Sequence, residues 1–119
     1  MAIISREKLS GSTNGKPVKI VATATAGTTV HTAVSGTTSW DEIYCWLTNT
    51  DTSARTVTCE FGGVTDPDLL LVKAYSLPQS SAPIPVITGE MLQNALVMAF
   101  FASTASVVLA TGFVTRHAA

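Results

Sequence analysis

Between residues 17 and 118 the chain never runs long without punctuation. Short stretches rich in Val, Ile, Leu and Thr recur about every ten residues, separated by Gly, Pro, Ser, Asn and Asp. A turn signal that recurs at such intervals leaves no room for long helices. It admits short strands joined by tight connections, and each strand needs a second apolar surface to bury the first.

The clearest strands alternate. In "PVKIVATA", Val18, Ile20 and Ala22 share one face, and Lys19, Val21 and Thr23 the other. "TTVHTAV" follows Gly27 as a second strand, and residues 35–39 form a loop. In "EIYCWLTNTDTSARTVTCEFGG", Ile43, Cys45 and Leu47 share a face, as do Val57, Cys59 and Phe61. A hairpin turn centred on Thr52 pairs Ile43 with Phe61, Cys45 with Cys59 and Leu47 with Val57, so that a matched apolar face fixes the register. That hairpin places Tyr44 opposite Glu60 and Trp46 opposite Thr58. "LLLVKAYSL" is a further strand. "APIPVITG" is a short or edge strand, because Pro83 and Pro85 cannot donate ladder hydrogen bonds. "MLQNALVMAFFAS" fits a helix as well as a strand, and its neighbours favour β. "VVLATGFVTR" closes the set, with Gly112 read as a bulge. Residues 1–16 carry neither period and read as an irregular N-terminal arm. The expectation is one all-β domain over 17–119: an antiparallel β-sandwich of jelly-roll type with about eight short strands.

Composition agrees with half-buried β surfaces. The chain holds 18 Thr and 11 Ser, and only 13% of its residues are charged. Seven basic and eight acidic residues are scattered with no basic run, which argues against nucleic acid as a partner. So few charges leave apolar surface for another subunit to cover. The start, "MAIISREKLSGSTNGKP", lacks the apolar core of a secretory signal. Residues 91–115 form an uncharged run of 25 residues, long enough for a membrane span, but "ASTAS" and "ATG" interrupt it and no Lys/Arg cluster flanks it. Two buried strands joined by a turn account for it better, and no membrane is expected.

Chemistry-bearing residues are sparse. Cys45 and Cys59 read as two small buried thiols, with a disulfide as the alternative. His31 and His117 stand in unrelated contexts, too few for a zinc site, and Asp66 and Asp68 lie in a Pro-containing turn without a calcium-loop pattern. Asp41, Glu42, Glu60 and Glu90 show no motif that would gather them around a pocket. No cofactor, no metal and no enzymatic activity are expected. Trp46 reads as core. Trp40 is a candidate exposed anchor.

Three segments carry a family resemblance: "LSGSTNGKPVKIVATATAGTTVHTA", "WLTNTDTSARTVTCEFGG" and "TDPDLLLVKAYSLPQSSAPIPVITGEMLQNALVMAFFASTASVVLATGFVTR". Their order, with a strand ending near T-N-T, a Gly-Gly exit, a Pro-bearing loop and a final small-residue turn, resembles small β-sandwich virion proteins of tailed bacteriophages. The resemblance implies a capsid cement or decoration protein, trimeric and fixed to the major capsid protein on the outside of the shell. A tail, collar or spike-adaptor component is the alternative. A carbohydrate-binding module exposing Trp40 or Tyr75 is a further one. On the cement reading, the arm orders on docking, with Arg6, Lys8, Leu9 and Lys16 as its partner-binding residues, and removing residues 2–14 would leave the sandwich folded.

Overall fold

A computed structural model describes residues 3–118. Nine strands and no helix are present among them: β1 (Ile3–Lys8), β2 (Val18–Ile20), β3 (Thr28–Thr32), β4 (Trp40–Asn49), β5 (Arg55–Phe61), β6 (Leu70–Leu77), β7 (Ile84–Leu92), β8 (Val97–Ala102) and β9 (Val108–Ala118). They form two antiparallel sheets. The five-stranded sheet runs β1-β9-β4-β7, with β2 lying beyond β1 along the same edge of β9; the four-stranded sheet runs β3-β8-β5-β6. The pairings are nested, with β5 on β6, β4 on β7, β3 on β8 and β2 on β9. The chain is thus one long folded-back ribbon whose successive pairs alternate between the two sheets.

Alternation along each strand builds the core. On β4, Asp41, Ile43, Cys45, Leu47 and Asn49 all point inward, and every second residue is left partly exposed. Ile43, Cys45 and Leu47 join Val57, Cys59, Ile87, Met98, Phe100, Val108, Ala110 and Val114 in one cluster. Each large aliphatic or aromatic member contributes roughly 1.5–3 kcal/mol by leaving water.

The apolar faces around the two cysteines are as the sequence predicts, but their relation is not. β4 lies between β9 and β7, and β5 between β8 and β6, so the two strands belong to different sheets and are not a hairpin. Two one-sided strands can be satisfied side by side or face to face, and here they close the sandwich face to face. Asn49 makes the corner. Its buried amide nitrogen donates to Ser53 O at 3.0 Å and lies 3.1 Å from Pro78 O, while its Oδ1 accepts from Asp51 N. Cys45 and Cys59 are free and buried, as the plain reading has it.

Other expectations shift too. The N-terminal segment is not irregular: Ile3–Lys8 pairs residue for residue with Phe113–Ala118, Leu9 is 1% exposed in the core, and Gly11 N donates to Val30 O at 2.9 Å. Residues 3–11 are therefore part of the sandwich, and removing them would strip an edge and open a cavity. The strand read over "PVKIVATA" is confined to Val18–Ile20, and Val21 N and Ala22 N donate instead to Thr28 Oγ1. Of residues 91–103, helix or strand by pattern, Met91 and Leu92 end β7 and Val97–Ala102 form β8, and β7 lies at a sheet edge as Pro85 requires. Gly112 is not a bulge. β4 and β9 stay in register through Cys45 and Gly112, and a Cβ there would sit 2.0 Å from Tyr44 O, so glycine serves close strand approach. No helix among the described residues is long and apolar enough to cross a membrane.

Candidate functional site

Two groups of residues stand out, one inside the sandwich and one on it. At one end of the core, β3, β4 and β9 bring together His31, Asp41 and Arg116. Arg116 donates from Nε to Asp41 Oδ1 at 2.7 Å and from Nη2 to Oδ2 at 3.1 Å, a bidentate pair. His31 Nε2 lies 2.7 Å from Asp41 Oδ2, and Val34 N donates to the same oxygen. On the other side of the imidazole, Ser10 N donates to His31 Nδ1 at 2.9 Å. A ring nitrogen that accepts from an amide carries no proton, so His31 is neutral, with its proton on Nε2 facing Asp41.

Burial drives His31 below the ordinary imidazole value, against the opposing pull of Asp41. Burial also pushes Asp41 up, but the hydrogen bonds from Arg116 and His31 outweigh it and hold the carboxylate ionised. The same contact with Asp41 raises Arg116. Ser10 Oγ is taken by Thr32 N, and His31 and Asp41 are 1% and 0% exposed, so the network joins elements and keeps its imidazole and carboxylate from solvent. Sequence reading treated these residues separately. Parity was the available signal: Asp41 shares the inward set of Ile43, Cys45 and Leu47, and Arg116 that of Val114 and Ala110.

Glu60, Glu90 and Asp66 are also occupied. Glu60, 1% exposed, lies on the outward side of β5 beneath residues 23–27, where it accepts from Thr25 Oγ1 and from Gly27 N at 2.6 Å. Glu90 accepts from Thr88 N, and Asp66 pairs with Lys73. Among the described residues, no three His, Cys, Asp or Glu side chains are placed to share a metal ion. Burial raises both thiols, Cys45 to about 12, which leaves them unreactive while folded.

The second group covers the outward face of the five-stranded sheet. Of the chain's two Trp, two Tyr and four Phe, this face takes both Trp, Tyr44 and Phe113. Their placement follows from register, since Trp40, Tyr44 and Trp46 are the aromatic residues among the outward positions of β4, opposite His117, Phe113 and Thr111 of β9. Tyr44 stacks on Phe113 with centroids 5.0 Å apart, Trp46 tilts toward the same ring at 6.0 Å, and Trp40 stacks on His117 at 5.1 Å. Arg6 lies over Phe113, 4.6 Å from its centroid, and Lys8 is directly across from Phe113. Glu42 accepts from Tyr44 Oη and lies 3.4 Å from His117 Nε2; the tyrosine bond lowers Glu42 and raises Tyr44. Beside Trp40, an open groove of about 400 Å³ is lined by Met91, Leu92 and Gln93.

The structure therefore gathers Arg6, Lys8 and Trp40 on one surface, and separates the other predicted partner residues from it. Leu9 is in the core, and Lys16 lies in the exposed turn that follows, its amide bonded to Thr13 O. Trp46 is half-buried on the outward face and is not a core residue, because β4 puts even-numbered side chains outward. Trp40, at 37% exposure, is the large aromatic most open at this face. No protein-family model, curated protein or solved structure matches the chain.

Proposed function

We propose that this chain is a structural virion protein of the tailed-bacteriophage kind, a cement or decoration protein on the outside of the capsid. It binds the major capsid protein and copies of itself, and carries out no catalysis. One observation carries the reading: the aromatic, cation-edged face formed by Trp40, Tyr44, Trp46 and Phe113 with Arg6 and Lys8. Trp, Tyr and Arg are the residue types that dominate binding energy at protein interfaces, and a rigid sheet presents them with little ordering entropy to lose. The nested strand pairing supports a sandwich of jelly-roll type, an architecture that capsid proteins share with lectins and cupins. Fold alone does not choose among these. The hydrogen-bonded carboxylates of Asp41 and Glu60 and the buried thiols favour the structural role.

Co-sedimentation with shells assembled from the major capsid subunit tests the reading. The chain should pellet with the shells, and Trp40→Ala should weaken binding by about 2 kcal/mol, roughly thirtyfold. Equal pelleting of the variant, or none by the parent, contradicts it. The groove beside Trp40 favours glycan binding as a second reading, for which soluble oligosaccharides should quench Trp40 fluorescence. Copy number per particle separates cement from a tail, collar or spike adaptor.

A further inference from the structure

We infer that β1 is a strand-addition edge through which two copies of this chain pair antiparallel about a two-fold axis, joining their five-stranded sheets into one. The inference goes beyond shell docking, because it uses the unpaired backbone edge of β1, which borders the aromatic face and shares Arg6 with it.

It starts from the four long sides where the two sheets end. Unpaired strand edges invite association, and folded proteins blunt them with bulges, proline, lysine or a covering segment. β6 is blunted: its register with β5 shifts twice, Ala74 has φ of 50°, and Lys73 projects from its middle. β7 carries two register shifts against β4 and has Pro85. β3 has a register shift and is covered, with Gly11 N donating to Val30 O and Ser10 Oγ accepting from Thr32 N. Of these devices β1 carries only a lysine, Lys8, at its very end, and its first five residues have none. Its six residues pair with β9 without a shift, no described strand lies on its other side, and Ile3 and Ile4 are 62% and 66% exposed. β2, beyond it on the same edge, has three residues.

The sequence of β1, "IISREK", then selects a second copy and a register. A two-fold axis through the sheet requires residues of the same face to stand opposite each other, and a one-residue slip puts outward side chains against inward ones. Centring on Arg6 opposes two guanidinium groups. Centring on Ile4 leaves three described residues paired. Centring on Ser5 pairs five, with Ile4 opposite Arg6 of the copy and Ile3 opposite Glu7, so that no like charges face each other directly. The guanidinium stem then lies along the isoleucine that would otherwise be in water.

Sedimentation equilibrium of the whole chain, from micromolar to sub-millimolar concentration, provides the test. The parent should be a dimer at the upper end. Ile4→Arg, which sets cation against Arg6 twice per dimer, should weaken association about tenfold, and Ile4→Glu should maintain or tighten it. Thermal melts of each variant establish that the fold is retained. A parent that stays monomeric, a trimer indifferent to both changes, or equal weakening by Glu and Arg overturns the proposal.

Discussion

At the scale of single residues, His31 is the group whose protonation the fold resists most visibly. Ser10 N–H points at Nδ1, so a second proton there must break that bond and put two donors face to face. The groups around the ring are Asp41 from β4, Arg116 from β9 and Glu7 of β1, which acts on Arg116; β8 contributes Met98, which does not titrate. His31 is held below its ordinary value of 6.5, so its contribution to stability is complete above 6.5 and is lost as pH falls from there toward the folded-state value. Asp41, also held below its ordinary 3.8, adds a second loss in more acid solution. The urea midpoint should therefore drop first in the window just below 6.5. His31→Gln, which keeps a donor for Asp41 but cannot protonate, should flatten that first drop. An unchanged profile in the variant would assign the acid sensitivity elsewhere.

At the scale of elements, β4 and β9 form the spine of the larger sheet, and at Gly112 they leave no room for a side chain. Adding one methyl group there places carbon against the Tyr44 carbonyl at 2.0 Å, a backbone atom that cannot rotate away. Gly112→Ala should cost about 3 kcal/mol or more, read as a shift of the urea midpoint, whereas Gly36→Ala, where a Cβ meets nothing within 4 Å, should cost only its backbone strain. Equal effects would show that the strand approach is not what Gly112 provides. The strands themselves were largely legible, because two-residue alternation is written directly into β4, β5 and β9. Their partners were not. Alternation says that Cys45 and Cys59 face something apolar, but a hairpin neighbour and an opposing sheet satisfy that equally. "IISREK" shows no alternation of apolar and polar residues because β1 is an edge strand with little to bury, and Leu9, the residue after it, is the one that reaches the core. His31, Asp41 and Arg116 escaped notice because polar residues on an inward face betray themselves only when strands distant in sequence are brought side by side.

At the scale of the whole molecule, the sandwich measures 49 × 29 × 20 Å, with the buried groups of His31, Asp41, Asn49 and Glu60 hydrogen-bonded and both tryptophans, Tyr44 and Phe113 spread across one outward face. A rigid plate of this kind is suited to covering a joint between larger subunits. β1 is the edge along which a second plate would extend it, so both surfaces belong to one scheme of assembly. Gathering on one face was the element of function the sequence hid, since Arg6, Trp40 and Phe113 come from three distant segments and meet only through the β1-β9-β4 order. The deciding measurement is an electron cryo-microscopy reconstruction of the intact particle. The account predicts density for this sandwich on the shell exterior, with Trp40, Tyr44 and Phe113 turned toward the capsid subunits. A particle without the chain, or one in which that aromatic face is turned to solvent, would contradict it.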